Sequence, residues 1–380
     1  MPHTLDMVTR AEQVVGSVVV PVLLAGLLSA VTAPRVVSPR GAPAIQRIAL
    51  PPEPVEQAGS AARAAAPSAK PSPAIAPARP VTTAVAPTPP LTGCPAPRRP
   101  PPNGGPRGLG PPIVAESHLP TPVAVRGKAR GLAAVRGKGL WVTPFGSTRV
   151  DVRALVRQAL GTGVHSLWIR TGGTRQGYYG DRFLPQLVPA AHAAGLAVVA
   201  WDFPFLSNPM ADVLRAKQAL AAGVDAFSPD VETAAEGTYL TARRVALYLS
   251  AVRRYAGARP VVATVPRPSD QRATFPYRSF VPYADVFAPM VYWSCNEPGA
   301  LVQESLLRLG RLLPVAPIGQ GYDMGPEGGR AGTPSRLETL RFLDAARRGG
   351  ALGASLWTVE EAGPAQLQAL ADYRWPLMRQ

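Results

Sequence analysis

From Gly139 onward, short apolar runs alternate with amphipathic stretches. They recur at a spacing of roughly 25 to 40 residues, the size of one strand-plus-helix unit. The runs fall at 140–145, 166–171, 197–203, 226–232, 261–265, 286–293, 315–320 and 354–359. Helical periodicity fills the gaps at 151–160, 184–194, 210–222, 238–255, 300–313, 335–348 and 366–373. Asp151 is placed to cap the first helix, and Ser335 with Glu338 forms a capping-box pattern ahead of the sixth. The stretch at 275–283 is proline-rich and predicts at best a short helix. Eight such units over residues 139–380 predict an α/β chain closed into a (β/α)8 TIM barrel, with an open doubly wound sheet as the competing topology.

In a barrel of this kind the chemistry sits where the strands end. The fourth run, Gly223 to Glu232, closes on two acids, Asp230 and Glu232, two residues apart. Side chains at i and i+2 of a strand share a face, so Ser228, Asp230 and Glu232 project together. Desolvating two carboxylates on one face is costly, which points to structural pairing with Arg170 or Arg267, or to the mouth of a site. The other strand ends offer Trp141 and Phe145; Arg170; Trp201 and Asp202; Arg267; Tyr292 and Trp293; Gln320, Tyr322 and Asp323; and Trp357 with Glu360 and Glu361. Five of the six tryptophans, at 141, 168, 201, 293 and 357, fall in these runs.

Aromatic faces beside carboxylates suit carbohydrate, since rings stack on the apolar faces of sugars and acids handle hydroxyls and glycosidic oxygens. Two carboxylates at one scissile bond support general acid and base or nucleophile roles, and burial would leave one of them protonated. Glu232 is the expected acid, longer and nearer the mouth, with Asp230 ionised or holding substrate. Trp201, Asp202, Arg170, Trp293, Gln320, Tyr322 and Asp323 complete the expected substrate-binding set. No Gly-x-Ser-x-Gly elbow or Walker A loop occurs. Two cysteines and four histidines without ligand spacing predict neither a metal nor a cofactor.

The fourth strand resembles the signature of glycoside hydrolase family 18, the chitinase-like barrels, written Asp-x-x-Asp-x-Asp-x-Glu. Asp225, Asp230 and Glu232 fall on its first, third and fourth positions, and Ser228 replaces the second Asp. Met290-Val-Tyr292 is similar to the family's Met-x-Tyr-Asp, with Trp293 in place of Asp, and Trp357 matches its strand-eight Trp. The resemblance implies that Glu232 is the general acid and that Asp230 orients a substrate acetamido group acting as internal nucleophile. It further implies that Tyr292 hydrogen-bonds the acetamido carbonyl and that Trp357 forms the floor. The Asp-x-Glu pair also resembles family 25 lysozymes, and Phe-Ala-Pro-Met-Val-Tyr resembles uncharacterised bacterial glycosyl hydrolase barrels. The expected substrate is an N-acetylhexosamine-containing polysaccharide, chitin- or peptidoglycan-like; the alternative is a glycan-binding barrel without turnover.

Ahead of the barrel the composition changes. Residues 34–122 hold 24 of the 45 prolines, and a disordered Pro/Ala/Arg-rich linker is expected over 34–138. Residues 1–138 carry a net charge of +10 out of the total +16, which suits either adhesion to an anionic surface or a solvated linker. The basic residues are scattered and lack interleaved aromatics, so no nucleic acid is expected. Val14 to Ala33 is uncharged for 20 residues, which fits a signal peptide or membrane anchor over 1–33 and places the barrel outside the cytoplasm, tethered to membrane or cell wall. The basic flank after this segment runs against that orientation. A monomer is expected, and a disulfide between Cys94 and Cys295 is left open by the sequence.

Overall fold

The computed structural model describes Cys94 and residues 112–376, apart from 126, 145–148, 270 and 271. The apolar segment at 14–33, the proline-rich stretch up to 111 other than Cys94, and Phe145 lie outside the described residues.

The strands are β1 (Gly137–Val142), β2 (Ser166–Gly173), β3 (Gly177–Tyr178), β4 (Ala197–Phe203), β5 (Ala226–Pro229), β6 (Val262–Pro266), β7 (Val286–Val291), β8 (Ile318–Gln320) and β9 (Gly353–Trp357). Hydrogen-bonded neighbours run β5-β4-β2-β1-β9-β8-β7-β6, all parallel. Parallel bridges from Phe227 to Val261 and from Asp230 to Thr264 join β5 to β6 and close the ring. The expected TIM barrel is therefore present, with β3 a short antiparallel ribbon on β2.

Among the described residues the surrounding helices are α1 (Val152–Thr162), α2 (Leu184–Ala193), α3 (Pro209–Ala221), α4 (Ala242–Ala256), α5 (Pro298–Leu309), α6 (Arg336–Arg348) and α7 (Pro364–Asp372). Asp151 caps α1 by accepting from Ala154 N, and Ser335 and Glu338 form the reciprocal box at α6. After β6 the described residues include a 3-10 turn, Tyr277–Ser279, where a longer helix would complete the unit. The fourth helix starts later than its apolar pattern suggests. Thr241 is its N-cap, and the preceding residues form a separate 3-10 turn, Ala234–Glu236.

Two cores follow from strand alternation. Outward residues such as Leu140, Leu167, Val198 and Phe227 pack under the helices. Inward residues fill the barrel, where Trp141 stacks on Trp168 at 4.9 Å between ring centroids. Both indoles are paired: Trp141 Nε1 donates to Ser355 Oγ at 2.8 Å and Trp168 Nε1 to Ser166 Oγ at 2.9 Å. Gly139 makes room for them, since a Cβ there would lie 2.6 Å from Trp168 Nε1. Trp141 and Trp168 are thus barrel filling beneath the strand ends.

The segment 112–136, expected to belong to the linker, packs on the barrel instead, and β1 already begins at Gly137. The reason lies on α4. Its buried Arg244 and Arg253 need acceptors. Arg244 pairs with Glu116 at 3.1 Å and also donates to the carbonyl of Val114, while neighbouring Arg243 donates to Leu119 O at 2.7 Å. Lys128 donates to Val281 O at 2.6 Å, and Ala129 N to Asp285 Oδ1, the carboxylate that pairs with Arg253. Val135 ends the segment buried inside the barrel.

Cys94 and Cys295 are joined by a disulfide. It spans a sequence separation of 201 residues, and its reduction is expected to lower stability by about 2–4 kcal/mol through the freed unfolded chain. Urea midpoints with and without reductant measure this. An unchanged midpoint would mean the barrel does not depend on the link.

Candidate active site

A cavity of about 400 Å³ opens at the C-terminal ends of the strands. Asp230, Glu232, Tyr292, Trp357, Trp201, Arg170 and Tyr322, all expected from the sequence, line it together. β5 ends at Pro229, before either acid, yet Asp230 keeps strand register through its bridge to Thr264. Its backbone N donates to Asp202 O at 2.8 Å. One turn of alternation below, Ser228 donates to Val262 O at 3.0 Å and shares a 2.8 Å hydrogen bond with Thr264 Oγ1. The serine therefore satisfies itself against β6 and leaves Asp230 without a second acid beneath it. Asp225 lies at the other end of β5, accepting from Val198 N and pairing with His192, away from the cavity.

Four expected residues do not line the cavity. Asp202 follows Trp201 on β4, so alternation turns it outward to α3. There it takes Arg215 Nε on both oxygens at 3.1 and 3.0 Å. Trp293 follows Tyr292 and is turned outward for the same reason, fully buried at 5.5 Å from the Phe342 ring. Gln320 is buried and used internally, accepting from Ser294 N at 2.8 Å and donating to Tyr322 O at 3.0 Å. Asp323 is exposed and accepts from Gly325 N and Gly332 N, both at 2.7 Å. It shapes the loop after β8 and leaves the cavity to Glu327 of that loop.

Glu327, Glu236, Glu361, Arg175, Arg267 and Arg272 also line the cavity and were not among the expected site residues. Glu361 and Arg267 had a sequence signal, each at or just past the end of a strand. The others sit on loops or short turns, where no period marks a facing side chain.

Burial sets the electrostatics. Asp230 is only 4% exposed, and its Oδ1 has no hydrogen-bond partner among the described residues. Loss of hydration pushes its carboxyl up to about 7, against the pull of the Arg170 guanidinium, with Glu236 and Asp202 adding repulsion. Glu232 keeps some solvent access through the mouth, but the cavity walls crowd it. Loss of hydration, then the Asp230 and Glu236 charges, hold it well above the carboxylate range, opposed by Arg272. Burial also pushes the Tyr292 hydroxyl well above its ordinary value, so it remains a donor.

These shifts have a sign for stability. The folded chain retains protons on Asp230 and Glu327, each pushed up to about 7, where the unfolded chain has already released them. Their contribution to stability therefore falls as pH rises from the ordinary carboxylate range to about 7 and is level above it. Asp230→Asn removes one such group. Its melting temperature is expected to gain on that of the native chain as pH is raised across this window, and a constant difference would contradict the buried, partnerless placement of Asp230.

No family model and no curated protein matches the chain. Among solved structures, the chain is similar to the spore cortex-lytic enzyme SleL of Bacillus cereus, at 10% identity over 63% of this chain and 74% of that one, with a TM-score of 0.48. It is also similar to a chitinase from Chromobacterium violaceum, at 11% identity over 62% of this chain and 98% of the other, TM-score 0.47. A third is the GH18 chitinase ChiB of Flavobacterium johnsoniae, at 9% identity over 62% and 93%, TM-score 0.46.

Proposed function

We propose that the chain is a glycoside hydrolase acting on an N-acetylhexosamine-containing polysaccharide, with Glu232 as general acid. The observation that carries this reading is the convergence of Asp230, Glu232, Tyr292 and Trp357 on one cavity. Glu232, held protonated, gives its proton to the glycosidic oxygen as the bond to the anomeric carbon breaks. The carbonyl oxygen of the 2-acetamido group attacks that carbon and takes the place of an enzyme nucleophile. Asp230, with Arg170 beside it, orients the acetamido N–H and stabilises the positive charge that develops on the group. Tyr292 donates to the carbonyl oxygen, and Trp357 and Trp201, 5.2 Å apart between rings, offer the sugar an apolar floor. Water then attacks the anomeric carbon and gives its proton to the Glu232 carboxylate, while the bond to the acetamido oxygen breaks and the amide re-forms.

The test is incubation of the full chain with N-acetylglucosamine oligomers and with peptidoglycan, with products followed by mass spectrometry. Shorter reducing-end sugars are expected from one of the two. Binding without any product would favour a glycan-binding barrel, the reading that Ser228 supports by leaving Asp230 without its acid neighbour.

The Cys94–Cys295 disulfide supports placing the barrel in an oxidising compartment outside the cytoplasm. Among the described residues no helix is long and apolar enough to cross a membrane. Attachment to membrane or wall would fall to the apolar segment at 14–33. Protease accessibility of the barrel on intact cells tests this placement.

A further inference from the structure

The acids of the cavity are not equivalent. Asp230 has Arg170 to offset it, and Glu232 has Arg272. The remaining cavity arginines are also engaged: Arg267 pairs with Glu304 at 3.1 Å, and Arg175 lies over the Phe205 ring at 5.1 Å. On the wall formed by the loops after β8 and β9, Glu327 and Glu361 have no such offset among the described residues. Each is pushed up by burial, and the charge of Glu361 pushes Glu327 further.

This wall also carries acceptors with nothing to accept. Glu327 Oε2 receives the Tyr322 hydroxyl at 3.1 Å, but its Oε1 is buried with no partner among the described residues. Thr358 is 2% exposed, lines the same cavity, and its Oγ1 has no partner either. It is tied to the Glu361 turn, since Glu361 N and Ala362 N both donate to its carbonyl. Orphaned buried polar atoms in a cavity wall are costly unless a ligand completes them.

The complement of two uncompensated carboxylates and a hydroxyl is a compact cation with several N–H donors. We infer that Glu327, Glu361 and Thr358 form a subsite for the primary ammonium group of a de-N-acetylated hexosamine, so that the polymer taken is a partly deacetylated one. This deepens the reading of the cavity as a glycan site and rests on it. The reacting sugar keeps its acetamido group for Asp230 and Tyr292, while the free amine belongs to another unit of the same chain. A C2 ammonium is held close to its ring, which suits a wall standing beside the Trp357 floor. An ammonium presents three donors. They match Glu327 Oε1, the Glu361 carboxylate and Thr358 Oγ1.

The experiment is calorimetric titration of the full chain at neutral pH with a partly N-acetylated glucosamine hexamer, the fully acetylated N-acetylglucosamine hexamer and hexalysine. Charge-assisted hydrogen bonds of this kind predict about tenfold or greater preference for the partly acetylated hexamer over the fully acetylated one. E361Q is expected to reduce that preference, and E327Q/E361Q to abolish it. Melting curves check that the variants fold. Equal or tighter binding of the fully acetylated hexamer by the native chain would overturn the subsite and leave the glycosidase reading standing. Hexalysine binding as tightly as the partly acetylated hexamer would assign the wall to cations in general and overturn the sugar assignment. Binding of none of the three would overturn both readings. An unchanged preference in folded E327Q/E361Q would also sink the subsite, whatever the activity of the native chain.

Discussion

Glu232→Gln is expected to lower kcat on the N-acetylhexosamine polymer by roughly 100- to 10,000-fold, the usual worth of a positioned proton donor. The substitution keeps size and hydrogen-bonding reach and removes only the transferable proton. Oligomer affinity should therefore change little, since Trp357, Trp201 and Tyr292 still supply the floor and the acetamido contact. That split between kcat and binding separates lost chemistry from a damaged site. Glu232 is also pushed up by the charges of Asp230 and Glu236, so removing either neighbour should let it ionise earlier and move the alkaline limb of the rate profile to lower pH. Equal turnover by native protein and folded Glu232→Gln would remove Glu232 from the mechanism.

The barrel was legible because strands and helices repeat with a fixed period. Each apolar run was found, and the boundaries moved by a few residues where caps such as Thr241 decided them. Asp230 and Glu232 line one cavity, as expected of side chains two residues apart at a strand end. The same alternation separates neighbours. Trp201 and Asp202 cannot both face the cavity, nor can Tyr292 and Trp293, and the structure turns the second of each pair outward. Glu327 and Glu236 were hidden because loops and single turns have no period. The packed segment 112–136 was hidden because composition averages over a stretch. It does not register that Glu116 and a few carbonyls complete buried arginines on α4.

The outward-facing Asp202 gives the sharpest contrast between a structural and a substrate role. Its carboxylate is fully buried and receives Arg215 Nε on both oxygens, while Arg215 also donates to Asp212 Oδ1 at 2.7 Å. Asp202→Asn removes one negative charge from this buried group and leaves the guanidinium with Asp212 alone. Breaking a buried pair from one side costs about 3–5 kcal/mol, and the retained Asp212 places the expected loss near 3 kcal/mol. Replacing Asp202 and Arg215 together by apolar residues should recover part of it, because the desolvation of both groups is then avoided. Substrate affinity should stay near native in folded Asp202→Asn, since the side chain points to α3 and away from the cavity. One distant effect is expected. The Asp202 charge raises the Asp230 carboxyl, so its loss should let Asp230 ionise at lower pH and extend the acid limb of the rate profile. A raised KM with an unchanged urea midpoint would instead return Asp202 to the substrate and contradict its orientation on β4.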